Sequence, residues 1–183
     1  IQVGLVGSEM CIRDRAWIGG LFDVLLPAWH FGIPVVSHRS QKFDPEFTFD
    51  LISKLNIQNT FLPPTALKMM KSFNPSSTKY KLNLRTIGSG GEALGEDLLE
   101  WGKRILGVNI NEFYGQTECN LTISNSSAIM PTKQGSIGKP VPGQEVRIMN
   151  KRGEFIKEPG VDGEIVVNYK TPVAFLKYWE NDK

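Results

Sequence analysis

The feature that most restricts the fold is an alternation of strand-type and helix-type segments through the middle of the chain. Thr60-Phe61-Leu62 is a short apolar run that ends at Pro63-Pro64, and the helical pattern behind it carries Leu67, Met69 and Met70 to about Phe73. Asn74-Pro75-Ser76-Ser77 reads as a loop. Residues 82–87 then read as a strand, 88–91 as a glycine turn, 96–106 as a helix with Leu98, Leu99 and Trp101 inward, and 108–113 as the next strand. Upstream, Asp44-Pro45-Glu46 is a helix start with Asp as N-cap and Pro at the first position, and Phe47, Leu51, Ile52 and Leu55 form one apolar face. Strands separated by helices need crossover connections, so the fold class is α/β, a layered domain with a mostly parallel sheet. After about Gly135 the pattern changes. Val146 and Ile148 alternate with Arg147 and Met149, and turns at Asn150-Lys151-Arg152-Gly153 and Val161-Asp162-Gly163 bracket short strand-like runs, which predicts part of a small antiparallel β subdomain over 136–183.

Composition narrows the function classes. Of 183 residues 40% are hydrophobic, enough for a real core, and 21 Lys+Arg against 19 Asp+Glu give +2 with no charge blocks. No basic field therefore marks the chain for nucleic acid or for a membrane surface. Cys11 and Cys119 cannot by themselves form a disulfide framework or a four-ligand zinc site, and His30 and His38 are equally thin evidence for metal. Residues 16–36 carry a single formal charge, Asp23, over nearly the length of a bilayer span. Pro27 and Pro34 interrupt that stretch, however, and Trp17, Gly20, Leu21, Val24, Leu25 and Ala28 recur at helical spacing. The reading is a buried helix followed by a strand over 33–36, not an integral membrane segment. At the start, Gly7-Ser8-Glu9-Met10-Cys11-Ile12-Arg13-Asp14-Arg15 resembles a translated sequencing-adapter leader, so residues 1–15 are expected to be a non-native, unstructured tail. The chain divides as 1–15, an α/β unit over 16–135 and the β unit over 136–183.

Two segments carry chemical signals. Gly88-Ser89-Gly90-Gly91-Glu92-Ala93 satisfies G-x-G-x-x-A between a strand and a helix, with Glu112 about twenty residues on. One reading is an NAD-binding βαβ module; the other is a tight strand-to-helix turn that needs positive φ. Such a fingerprint normally opens its domain, whereas several elements precede it here. The second segment, Glu112-Phe113-Tyr114-Gly115-Gln116-Thr117-Glu118, places an aromatic, a glycine, a hydroxyl and a carboxylate in what reads as one loop off the strand. An aromatic face stacks a purine, Thr117 can donate to a phosphate oxygen, and Glu118 is a hard oxygen ligand suited to Mg²⁺.

With these motifs the chain resembles the acyl-adenylate-forming superfamily, and within it acyl-CoA synthetases of the acetyl-CoA and medium-chain type. The resemblance runs in order from about Ala16 to the end. It covers Trp17-Ile18-Gly19-Gly20, Phe61-Leu62-Pro63-Pro64-Thr65-Ala66, Gly91-Glu92-Ala93, Tyr114-Gly115-Gln116-Thr117-Glu118, Gly135-Ser136-Ile137-Gly138-Lys139-Pro140 with Pro142-Gly143, and Gly163-Glu164-Ile165. It implies an AMP-forming acid–thiol ligase acting on ATP, a carboxylic acid and coenzyme A, with Mg²⁺, in the cytoplasm or the mitochondrial matrix.

Residue by residue, the resemblance implies that Gly91, Glu92 and Ala93 line the adenine and that Tyr114 stacks on it. Glu112 or its backbone would face the exocyclic amine, with Phe113, Gly115 and Gln116 completing the nucleotide site. Thr117 would hold the α-phosphate, Glu118 would bind Mg²⁺, and Thr65, Gly88 and Gly115 would border the acyl pocket. Two departures stand out: Ala93 replaces the family's proline, and Gly115 stands where acetate-specific members carry Trp, which implies an acid longer than acetate. The family's phosphate loop with its lysine, its Thr-Gly-Asp motif and its C-terminal catalytic lysine have no match here. Lys139, Lys157 and Lys183 fall in no corresponding motif. The 183-residue chain is therefore read as a fragment of a ligase, inactive alone, with a non-catalytic binding relative as the other reading.

Overall fold

A computed structural model describes residues 8–9, 18–38, 42–76 and 79–180, with the side chains of 8 and 9 outside the description. Its first strand, β1 (Ser8–Glu9), lies between β2 (Val35–Val36) and β3 (Asn59–Phe61) and is parallel to both. At these two residues the segment read as a leader is sheet rather than tail. The rest of that leader with Cys11, and also Trp17, Ser77 and Lys183, lie outside the described residues.

The sheet continues in parallel through β4 (Thr86–Gly90) and β5 (Ile110–Gln116), then turns antiparallel into β6 (Asn120–Ser124) and β7 (Lys139–Pro140). The order is β2-β1-β3-β4-β5-β6-β7. A second, antiparallel sheet is built from β8 (Val146–Met149), β9 (Phe155–Ile156) and β10 (Glu164–Val167) in the order β10-β8-β9. The change of sheet falls after Pro140, because β7 still pairs with β6 through Ser124 and Lys139. Fold class is as the alternating pattern predicts.

Ahead of β2 a helical run passes through α1 (Ile18–Gly20), a π-helical turn (Leu21–Leu25) and α2 (Leu26–His30). Val24 and Ala28 are buried, while Phe22, Leu26 and Trp29 on the other face are exposed, so the periodicity is correct but only one face is covered. Pro27 does not interrupt the run. The π turn moves the ladder so that the Leu26 N–H donates to the Leu21 carbonyl, and Pro27 falls in the first turn of α2, where its missing N–H is no loss.

Three helices cover the opposite face of the sheet: α3 (Pro45–Lys54), α4 (Pro64–Phe73) and α5 (Glu96–Trp101), the last extended by a π turn (Gly102–Leu106). The Asp44 side chain caps α3 by accepting from the Phe47 N–H at 3.1 Å. Between these helices and the sheet Phe49, Ile52, Leu67, Met70, Ile87, Leu98, Trp101 and Ile110 form the main core. Each full side-chain burial of this kind contributes about 1.5–3 kcal/mol. A smaller cluster of Val24 and Phe61, with Phe113 against it, fills the face under the first helical run.

Two segments differ from their sequence reading. The strand expected over 82–87 begins at Thr86 and runs on to Gly90, so Gly88 and Gly90 are strand residues, not a turn. The Phe113 ring from β5 lies across them: a Cβ on Gly88 would sit 3.1 Å from that ring, and one on Gly90 at 2.6 Å. Likewise the motif read as a loop after 108–110 is strand as far as Gln116, and only Thr117 to Cys119 form the turn into β6.

Candidate active site

The candidate residues gather at the C-terminal ends of β4 and β5, where ligands bind in open α/β sheets. After Gly90 the chain bends at Gly91, with φ +95°, and helix α5 begins only at Glu96. Residues 91–95 thus form an open loop, and no helix N-terminus follows the glycines directly. Glu112, buried in β5, anchors this loop: its Oε1 accepts from the Leu94 N–H at 3.2 Å. Its backbone carbonyl accepts from Asn125 N–H at 2.8 Å. The carboxylate therefore fixes the glycine loop rather than reaching out for a ribose hydroxyl. With Gly88 and Gly90 committed to Phe113, the geometry of an NAD fingerprint is not present.

The β5–β6 hairpin carries the other half of the site. Its register shifts between Tyr114 and Gly115. A Cβ on Gly115 would run into the Asn120 carbonyl oxygen, so this glycine is demanded by closure of the hairpin. Asn120 itself takes the left-handed conformation, φ 51°. The Tyr114 hydroxyl accepts from Gln116 Nε2 at 2.7 Å, and the Tyr114 carbonyl accepts from the Thr122 hydroxyl at 3.3 Å.

Two cavities flank the hairpin. One, of about 180 Å³, lies between the 18–30 helical run and the hairpin and is lined by Gly90, Gly91, Phe113, Gly115, Gln116, Thr117 and Asn120, together with Ile18, Gly19, Asp23 and Leu121. The other, of about 240 Å³, lies between the hairpin and β10 and is lined by Tyr114, Gln116, Glu118, Cys119, Ile165, Val167, Asn168, Tyr169 and Ala174. Thr117 and Glu118 therefore line different cavities on either side of one turn. Glu92 and Ala93 are exposed on the loop. Thr65 is exposed at the start of α4, and Gly88 lies under Phe113; neither lines the first cavity, whereas Gly115 does.

Four contributors were not among the site residues expected from the sequence. The Tyr178 hydroxyl donates to Glu118 Oε1 at 2.8 Å, and that hydrogen bond is the main cause of a raised Tyr178 pKa. The Glu118 carbonyl accepts from Phe175 N–H at 2.8 Å, so the segment after β10 is strapped onto the hairpin tip. Asp23 and Asn120 hydrogen-bond through their side chains. Burial pushes the Asp23 carboxyl up to about 6, and the Asn120 bond opposes part of that rise. The one available signal for Asp23 was its isolation in an apolar stretch; the others are contacts made across the fold.

For a metal, the hairpin tip offers the Glu118 carboxylate, while the Thr117 hydroxyl lines the cavity on the other side of the turn. One carboxylate fits Mg²⁺, which keeps waters and takes its other ligands from substrate phosphates. Among the described residues no group of three or more His, Cys, Asp or Glu is placed to form a protein-only metal cage.

Residues 8–179 match the family described as AMP-binding enzyme. The chain belongs to the AMP-binding enzyme family. Among its relatives in that family, human acyl-coenzyme A synthetase ACSM2B, mitochondrial, is 32% identical over 97% of this chain and 31% of its own length. The crystal structure of a Brucella canis acyl-CoA synthetase superposes with a TM-score of 0.82 at 27% identity, over 92% of this chain and 31% of that one. That of the anthranilate CoA ligase AuaEII in complex with anthranoyl-AMP gives 0.84 at 25% identity, over 96% and 33%. The chain spans about a third of the length of the curated relatives it matches. Among the described residues no helix is long and apolar enough to cross a membrane.

Proposed function

We propose that the protein containing this chain is an AMP-forming acid:coenzyme A ligase. A carboxylate oxygen attacks the α-phosphorus of ATP in line, the bond from that phosphorus to the pyrophosphate oxygen breaks, and an acyl-adenylate forms. The thiol sulfur of coenzyme A then attacks the acyl carbon, its proton passes to solvent and AMP leaves. Neither step needs a protein nucleophile. The observation that carries the reading is the juxtaposition of a glycine loop, tied down by Glu112, with a hairpin tip bearing Thr117 and Glu118. The relative solved with anthranoyl-AMP supports it.

In this reading Gly91, Glu92 and Ala93 border the adenine, Tyr114 stacks on it, and Phe113, Gly115 and Gln116 complete the nucleotide site. Glu112 holds the loop, Thr117 donates to the α-phosphate and Glu118 holds Mg²⁺. When bound, Mg²⁺ supplies neutralisation of phosphate charge. Gly115 lies on the acyl side, whereas Thr65 and Gly88, expected there from the resemblance, stand outside the first cavity. The acid is longer than acetate; closure of the hairpin explains the missing side chain at 115, so the support for chain length is the 180 Å³ cavity itself. The proposed location is the cytoplasm, or the mitochondrial matrix, in keeping with the name of the human relative.

The test is acid-dependent ATP–pyrophosphate exchange by the intact protein over an acid series beginning at acetate. Exchange is expected, with acetate not the best acid, and Glu118→Gln is expected to lower it by about 10²–10³-fold without loss of fold. Nucleotide binding without exchange for any acid would overturn the ligase reading in favour of a binding relative. The 183-residue chain alone is proposed to be inactive, and acyl-adenylate formation by it would overturn that part.

A further inference from the structure

We infer that Asp23 sets the substrate class of the cavity between the 18–30 helical run and the hairpin, which takes a carboxylic acid whose chain bears a hydrogen-bond donor, a hydroxyl or a protonated amine. The inference rests on the ligase reading and concerns which acid that ligase selects.

Asp23 is the one ionisable side chain among the described residues lining this cavity. The walls around it are glycines, Ile18, Phe113 and Leu121 with the neutral polar side chains of Gln116 and Thr117, none of which offers a countercharge. Its fixed partner is the Asn120 side chain, while a carboxylate has about four acceptor sites. The Asn120 amide is held in place by a left-handed backbone behind the hairpin turn, and its Oδ1 is buried without a partner. Asp23 and Asn120 Oδ1 thus place acceptors short of partners on this wall, and the raised Asp23 pKa accords with a carboxylate short of solvation.

Occupants differ in what they do to that carboxylate. An unsubstituted alkyl chain displaces water from Asp23 and returns nothing. The far carboxylate of a diacid adds like-charge repulsion. A hydroxyl or ammonium replaces the lost water with a charge-assisted hydrogen bond. Sites built to hydrogen-bond a substrate group reject analogues lacking it strongly, and with Asp23 only partly buried the discrimination is expected at about 10–100-fold in kcat/KM. The Asp23 position in a π turn gives it this aim: the extra residue in the turn rotates the helix so that the buried Val24 packs on the sheet while Asp23 lines the cavity.

The experiment compares butanoate, 4-hydroxybutanoate, 4-aminobutanoate and succinate, four acids of equal carbon number, in ATP–pyrophosphate exchange by the intact protein. The donor-bearing acids are expected to exceed butanoate by about 10–100-fold and succinate by more. In Asp23→Asn the 4-aminobutanoate advantage is expected to vanish while that of 4-hydroxybutanoate is partly kept; in Asp23→Leu butanoate becomes the best of the four. Thermal melts establish that both variants fold. A wild-type preference for butanoate or succinate, or ratios unchanged in folded Asp23→Leu, overturns the assignment of Asp23 while leaving the ligase reading intact. Absence of exchange with every acid tried overturns the ligase reading, and this inference with it.

Discussion

Replacing Gly90 by alanine tests whether the glycines at the end of β4 serve packing or ligand approach. A Cβ at 90 would lie 2.6 and 2.7 Å from ring carbons of Phe113 and 2.9 Å from its carbonyl oxygen. The two residues are register partners in adjacent parallel strands, so neither backbone can retreat without disturbing the ladder. The Phe113 ring is also hemmed in by Phe61, with centroids 5.5 Å apart. Overpacking of this kind costs about 1–3 kcal/mol. For a chain of this size that is a fall in Tm of about 3–10 °C. Circular-dichroism melts of Gly90→Ala in the wild-type and Phe113→Ala backgrounds give the coupling directly. With the ring gone only the carbonyl contact remains, and the penalty is expected to drop below about 1 kcal/mol. Equal penalties in both backgrounds, or a variant that melts like wild type yet loses nucleotide binding, would refute the packing argument and restore a phosphate-approach role for the glycine.

Two further outcomes follow from the site. Glu112→Gln keeps an acceptor for the Leu94 N–H and is expected to change little, whereas Glu112→Ala leaves a buried donor unpaired at a cost of about 1–3 kcal/mol and should speed hydrogen exchange across residues 91–95; unchanged exchange there would remove Glu112 from its anchoring role. Asp23 governs a pH effect. Its carboxyl rises from 3.8 to about 6 on folding, so between these values the native state binds more protons than the unfolded chain and stability falls as pH rises. The full shift corresponds to at most about 3 kcal/mol, which partial exposure reduces to about 1 kcal/mol. Asp23→Asn should therefore raise stability above pH 6 and have little effect near pH 4; melts in which wild type and variant keep the same difference across that range would count against it.

Much of the architecture was legible because local physics and fold agree. Asp44 with Pro45 announces a helix that is capped as expected, and the apolar pattern after Pro64 delivers Leu67 and Met70 to the core. Failures occurred where a distant side chain outranked local preference. Glycines at 88 and 90 carry turn propensity, yet the Phe113 ring across the strand pair makes them strand residues. Tyr114-Gly115-Gln116 looked like loop because alternation breaks there, and the break is a register shift within a hairpin. The Pro27 stop signal was cancelled by the π turn directly ahead of α2.

By itself the sequence determined the α/β class, the order of elements and the ordered motifs that tie the chain to its family, because periodicity, caps and short motifs are read from neighbours along the chain. Only the tertiary structure decided what the motif residues do to one another. It turned Glu112 inward to hold the loop, sent Thr117 and Glu118 to opposite sides of the hairpin tip, joined Tyr178 to Glu118 across sixty positions, and set Asp23 against Asn120. Those pairings depend on strand register and on which helix face meets the sheet, and both are fixed by packing between segments far apart in sequence.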